Sequence, residues 1–378
     1  MTSSYAPVVI RRAVAAMFFM AGLVFSSWAS RIATIQQKLS LSEAALGAVL
    51  FALPVGLMIS LPLAGWAVNK VGSRKVLAVA LMMYGVSLVG LGLVPNIYLL
   101  AANLVLFGMA SNSVNISVNT QAVATEVLYK KPIMASFHGL WSLAGFVGAS
   151  VGTLMIGQGV DPMPHFILIA IITVISVIVC LKYLHNDKGA EKKKSAFAKP
   201  DSALITLGLI AFCSMVIEGA MFDWSTIYFK KVVLAPGAWV GAGYTAGMCA
   251  MASGRFVADS FAARFGLKTT LQVSGTLSLT GLLLVVIFPT LIPSIIGFLF
   301  IGAGISSVVP LVYSAAGRST TMQPGPAIAA VSTISFVGFL VGPPVIGFLA
   351  EASSLKVSFL FLAFMALLVI AFTTKAKV

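Results

Sequence analysis

Apolar runs, each about as long as a bilayer is thick, recur along the whole chain and leave little room between them. A spanning helix needs roughly 20 mainly apolar residues, because ~30 Å of hydrocarbon is crossed at ~1.5 Å per residue. Breaks at charge clusters and Pro/Gly-rich turns predict spans over 13–34, 44–68, 76–94, 97–122, 134–156, 165–185, 203–229, 238–263, 269–289, 292–315, 325–350 and 355–373. A large soluble core is excluded by composition. Hydrophobic residues make up 59% of the chain and charged ones only 9%, against roughly 25% charged in a soluble domain, and even large soluble domains keep a polar exterior. The fold class expected is therefore an all-α membrane protein of twelve transmembrane helices.

Basic residues set the orientation. With the N-terminus inside, eighteen of the 24 Lys and Arg residues fall on the cytoplasmic side. Five face the other side (Arg31, Lys38, Lys230, Lys231 and Lys356), and only Arg255 lies well inside a span. Both termini are thus expected in the cytoplasm of a bacterial inner (plasma) membrane. The net charge of +14 reports this topology and contact with anionic headgroups. It does not point to nucleic acid, because the charges sit at many separate helix ends. Arg11-Arg12 before an apolar run resembles a secretory signal, but the run is too long and eleven more spans follow, so it is read as helix one. Cys180, Cys213 and Cys249 have no metal-like spacing and read as buried thiols.

The longest polar stretch, around Glu191-Lys192-Lys193-Lys194, divides the chain into a first six-helix bundle (1–185), a cytoplasmic linker (186–202) and a second six-helix bundle (203–378). The halves echo one another at an offset of about 194 residues. Arg264, Gly266 and Lys268 fall opposite Lys70, Gly72 and Arg74. At nearly the same offset a span with Gly139, Gly145, Gly148 and Gly152 faces one with Gly338, Gly342, Pro343, Pro344 and Gly347. Two features sharing one offset argue for duplication. Paired halves with helices interrupted by Gly and Pro are expected of a rocking transporter, whose site lies near mid-membrane between the halves.

The loop Gly65-x-x-x-Asn69-Lys70-x-Gly72-Ser73-Arg74-Lys75 resembles the G-x-x-x-D-R-x-G-R-K signature of the major facilitator superfamily. The resemblance implies two pseudo-symmetric six-helix bundles and a gating role for Gly65, Asn69, Gly72 and Arg74. Asn69 departs from the family's Asp, which implies a weaker latch on the outward-open state. Ser27-Trp28-Ala29-Ser30-Arg31, Val49-Leu50-Phe51-x-Leu53 and His138-Gly139-x-x-Ser142-Leu143 resemble the YbjJ-type bacterial transporters near the fucose permeases. So do Glu218-Gly219-x-x-x-Asp223-Trp224, Gly254-Arg255-Phe256 and Phe339-Leu340-Val341-Gly342-Pro343-Pro344.

A charge inside a span costs at least ~2.5–3.5 kcal/mol, so each is a functional candidate. Glu218 lies roughly 22 Å from the cytoplasmic start of span seven. It leads as the coupling group, since proton binding removes a charge that the bilayer penalises; the alternative is a structural ion or hydrogen-bond partner. Asp223 and Trp224 read as a coupling or substrate contact, or as ordinary residues of the interfacial belt. Arg31 either snorkels to water or faces the cavity, pairing with Glu218 or Asp223 or clamping an oxyanion. Arg255 is read first as an i,i+4 partner of Asp259 supporting the inner loop. Asn112, Asn115 and Asn119 share one face of span four and either line a wet cavity or hold helices together. His138 is a proton-shuttle candidate or helix glue. Trp28 and Trp141 could stack on a sugar ring or simply pack. Ser307 and Tyr313 on span ten complete the candidate substrate set.

No nucleotide-binding loop, nucleophile elbow or H-E-x-x-H pair occurs. No cofactor and no enzymatic activity are expected, and uphill transport would draw on an ion gradient. The reading is a proton-coupled secondary transporter of a small polar, sugar-like solute, acting as a monomer in the lipid bilayer. An exporter of amphipathic or cationic compounds is one rival, and an intramembrane enzyme or sensor is the other.

Overall fold

The computed structural model describes residues 5–129, 133–186, 201–319, 322 and 324–376. Its α-helices run in the order α1 (Pro7–Lys38), α2 (Glu43–Leu50), α3 (Ala52–Val71), α4 (Ser73–Leu93), α5 (Ile97–Tyr129), α6 (Met134–Gly157) and α7 (Pro162–Cys180). After the linker come α8 (Ser202–Lys231), α9 (Ala242–Phe265), α10 (Leu267–Ile287), α11 (Leu291–Ile305), α12 (Val308–Ala316), α13 (Pro324–Ala352) and α14 (Leu355–Lys375). The expected linker core, 187–200, lies outside the described residues.

Eleven helical stretches among the described residues are long and apolar enough to cross a membrane, with α2–α3 and α11–α12 each counted as one. The twelfth, α9, has the length at 24 residues. Its sequence carries Ser253, Arg255, Asp259, Ser260 and Arg264, which dilute its apolar character. The fold is all-α and follows the expected twelve-span plan.

The helix ends are written in the sequence. Pro7 and Pro162 open α1 and α7 at positions where a missing N–H costs nothing. Ser42, Asp201 and Ser354 cap α2, α8 and α14, accepting from Ala45 N, Leu204 N and Val357 N, and so satisfy donors that a helix start leaves open. Glu126 of α5 accepts from Ile133 N at 2.8 Å and Met134 N at 2.9 Å, capping α6 from a neighbouring helix. Gly72 (φ 90°) and Gly266 (φ 83°) stand at the starts of α4 and α10. An L-side chain adopts such a φ only with strain, so the matched glycines of the two half-chain loops have one conformational reason.

Chain contacts divide the protein into two compact units: 1–41 with 52–192, and 42–51 with 193–378. In the first unit the main pairings are α1 with α6, α3 with α5, α4 with α5 and α4 with α7. The second repeats them as α8 with α13, α9 with α11, α10 with α11 and α10 with α14. One pairing scheme used twice is the structural form of the 194-residue echo. Residues 42–51 depart from the sequence division, which left them in the first half. Here α2 packs on α13. Lys231 pairs with Glu43, Ala44 N donates to Glu351 Oε2 at 3.3 Å, and Gly47 meets Gly347 so closely that neither has room for a Cβ.

Helix interruptions also fall elsewhere than the sequence suggested. The Gly-rich α6 and the Pro343-Pro344 helix α13 both run unbroken. The breaks are at Phe51, between α2 and α3, and at Ser306-Ser307, between α11 and α12. Each lies three or four residues before a proline, Pro54 or Pro310. A proline ring removes the bond to the carbonyl four residues back and collides with it, which accounts for both sites. The glycines of α6 serve packing instead: Gly148 and Gly152 lie against Ser26 and Ser30 of α1, a small-residue contact of the kind that lets membrane helices approach closely.

Candidate functional site

In the second unit, α8 concentrates the acidic chemistry. Glu218 and Asp223 are only 8% and 7% exposed. Five residues on one helix are turned by about 140° from each other, so the two carboxylates meet different neighbours. Glu218 Oε1 lies 3.6 Å from Arg255 Nη2 of α9. That separation is an ion pair but too long for a hydrogen bond, so the two groups are electrostatically joined and not tightly locked. The Arg255 guanidinium faces Glu218; Asp259 was its expected partner. The Asp259 side chain lies outside the described residues. Asp223 has no hydrogen bond or ion pair among the described residues. Trp224 beside it is fully enclosed, with its indole Nε1 unpartnered; a belt residue at a water interface would be exposed.

The interruption at Ser306-Ser307 is tied down by side chains. Ser307 Oγ meets Ser274 Oγ of α10 at 2.8 Å, and Ser306 Oγ donates to Ala303 O at 2.7 Å. Tyr313 of α12 meets Ser335 Oγ of α13 at 2.7 Å through its hydroxyl.

In the first unit, Arg31 of α1 is 1% exposed and does not snorkel. Its Nε donates to His165 Nδ1 of α7 at 3.2 Å and its Nη1 to Val160 O at 2.8 Å. Pairing with Glu218 was one expectation for Arg31, and that carboxylate is engaged by Arg255 instead. Because His165 Nδ1 accepts, the ring proton belongs on Nε2. His165 Nε2, Arg31 Nη2 and Trp28 Nε1 are all buried donors without a hydrogen-bond partner among the described residues. Trp28 is 1% exposed and packs beside Phe107, ring centres 6.3 Å apart.

The three asparagines separate. Asn112 Nδ2 donates to Ser60 Oγ at 2.7 Å and Leu57 O at 3.2 Å, binding α5 to α3; this is the helix-holding role. Asn119 Nδ2 donates to Asn115 Oδ1 and Asn115 O, both at 2.8 Å, on a more exposed part of α5. His138 is exposed on α6, its ring edge-on to Phe18 at 5.3 Å. Trp141 is half-buried beside Phe25, 6.2 Å between ring centres. Gly65 is half-buried in α3, Asn69 is exposed and Arg74 half-buried at the α3–α4 turn.

Two residues escaped the sequence reading. His165 holds Arg31, and its only signal was being one of three histidines, inside an apolar span. Gln121 is fully buried; it donates to Ser73 Oγ at 2.6 Å and His185 O at 2.9 Å, and accepts from His185 N at 2.8 Å. One carboxamide thereby ties the Gly72 turn to the end of span six. A lone Gln among four Asn on α5 gave no reason to single it out.

The sequence matches the major facilitator superfamily over residues 14–323 and 238–376. The chain belongs to the major facilitator superfamily. It is 32% identical over 360 residues to "Uncharacterized transporter y4wD" of Sinorhizobium fredii, covering 95% of this chain and 96% of that protein. "Membrane protein MosC" of Rhizobium meliloti is 28% identical over 355 residues, covering 93% and 86%. Among solved structures, the nucleoside transporter NupG superposes with TM-score 0.77 at 13% identity, over 98% of this chain and 99% of that one. A bacterial homologue of the human lysosomal transporter Spinster, crystallised inward-facing and unoccupied, gives TM-score 0.73 at 14% identity, over 99% and 98%. At such identities the superpositions establish fold alone. Family and relatives together make this superfamily member a multi-pass membrane transporter, not an enzyme.

Proposed function

We propose that the protein is a proton-coupled secondary transporter that carries a small polar, sugar-like solute by alternating access. Asp223 carries this reading. A carboxylate 7% exposed, on a membrane-spanning helix and without a compensating partner among the described residues, is costly while charged. A proton removes that cost, and a site that exchanges a proton with water on alternate sides is a coupling site. Glu218 differs, since Arg255 already offsets its charge. Its part is to hold that guanidinium, which a proton on Glu218 would release. His138, exposed on α6, is the remaining proton-relay candidate.

The sequence motifs support a place in the YbjJ-like branch near the fucose permeases. The basic-residue bias supports a bacterial inner membrane with both termini cytoplasmic. We further propose that it acts as a monomer, with no cofactor and with the proton gradient as driving force. Trp28, Arg31, Asn115, Asn119, Trp141, Trp224, Ser307 and Tyr313 remain the substrate-contact candidates; Asn112 is the weakest, its amide being spent on α3.

The same unpaired Asp223 favours a second reading, export of a cationic amphipathic compound, because an organic cation would neutralise it equally well. A thermal-shift screen of the purified protein separates the two, since a ligand bound to the native state raises its apparent stability. Sugars, amino sugars or nucleosides are expected to raise the melting temperature. Stabilisation by lipophilic amines alone would overturn the sugar-like assignment and favour the exporter.

A further inference from the structure

A groove of about 290 Å³ lies on the first unit, walled by Ala67 and Val71 of α3, Lys75, Val79 and Met83 of α4, and Met109 of α5. Lys75 stands in the first turn of α4 and Met83 two turns further along, so the groove runs about 12 Å along that helix. Its walls are apolar. Ser113, the one hydroxyl in the lining, is already spent on Met109 O at 2.8 Å. Val71, Val79 and Met83 are exposed, as expected of a face that meets lipid tails.

One end of the groove differs. Lys75 is exposed there and has no hydrogen bond or ion pair among the described residues. Lys70 and Arg74 flank the same turn. Exposed Trp66 carries the Lys70 ammonium 4.7 Å above its ring, and an exposed indole beside lysines marks the headgroup level of a bilayer. The turn therefore sets a basic cluster at headgroup depth with an apolar channel leading away from it.

We propose that this groove binds one acyl chain of an anionic phospholipid whose phosphate pairs with Lys75. Shape supplies the apolar part of the recognition and charge the selective part. A zwitterionic lipid fills the same groove but gains less from the lysine, since its own amine competes for the phosphate.

The test uses the full-length protein, titrated with phosphatidylglycerol and phosphatidylethanolamine of identical acyl chains and read by native mass spectrometry. Phosphatidylglycerol is expected to occupy the first site preferentially. Lys75→Gln should weaken it about fivefold, the weight of one basic residue at an anionic surface, and leave phosphatidylethanolamine unchanged. Ala67→Leu, which places bulk in the channel, should weaken both lipids alike. An unchanged lipid preference in Lys75→Gln, or unchanged first-site occupancy in Ala67→Leu, would overturn the assignment. If Lys75→Gln fails to fold, Lys75→Arg keeps the charge and must keep the preference; its loss would equally overturn it. None of these readouts depends on transport, so they stand apart from the coupling proposal.

Discussion

A carboxylate with a guanidinium 3.6 Å away and one with no partner among the described residues sit five residues apart on α8, and removing their charges has different consequences. Glu218→Gln leaves the half-buried Arg255 guanidinium beside a neutral amide. Breaking a fully buried pair costs about 3–5 kcal/mol; Arg255 is half-buried and keeps a further contact, so the single variant is expected to lose part of that and melt below the wild type. The double variant Glu218→Gln/Arg255→Gln removes both charges and should regain much of the loss; thermal unfolding in detergent decides it, and equal destabilisation of both would contradict the pairing. Asp223→Asn strands nothing and should leave folding intact. The sequence made both carboxylates visible as rare charges in apolar spans. It could not say which was compensated, because the 3.6 Å approach of Arg255 to Glu218 depends on the packing of α8 on α9. The partners of Arg31 were out of reach for a related reason: its acceptors, His165 Nδ1 and Val160 O, come from 134 and 129 residues further along, a separation at which no local spacing rule applies.

Elements were largely legible, since runs of apolar residues fix span number, and charge clusters and Pro/Gly-rich turns mark their ends. What was missed was where helices break. The number of glycines and prolines drew attention to α6 and α13, yet both are continuous. The breaks fall instead three or four residues before Pro54 and Pro310. Pro310→Ala restores a donor and should extend helical hydrogen bonding through Ser306-Ser307. Slower amide exchange over 307–311 is the expected result, and unchanged exchange would assign the break to tertiary packing. The contact of α2 with α13 makes a second element-scale prediction. A side chain at Gly347 meets Glu43 O and Gly47, so Gly347→Val forces the helices apart. Overpacking of this kind costs about 1–3 kcal/mol, read as a lower melting temperature, with Gly347→Ala affected less.

At the scale of the whole molecule, one pairing scheme appears twice. The α1–α6, α3–α5 and α4–α7 contacts recur as α8–α13, α9–α11 and α10–α14, and Gly72 and Gly266 repeat one backbone conformation. The duplication was readable from a shared offset; the transfer of residues 42–51 to the second unit was not, because it depends on Gly47 meeting Gly347 across a long stretch of sequence. Although the two units share a plan, their chemistry is unequal. Among the described residues the buried acidic side chains, Glu218 and Asp223, belong to the second unit, on α8, whereas the first buries the donors of Arg31, His165 and Trp28. The account assigns coupling to that acidic helix, with Asp223 as the group that must gain and lose a proton. The most direct measurement is proton movement in proteoliposomes on addition of the solute found by the thermal-shift screen, for wild type and Asp223→Asn. The wild type should move protons with the solute, and the variant should exchange solute across equal concentrations while losing at least about tenfold of the proton signal. An undiminished proton signal in a folded Asp223→Asn variant would contradict the account.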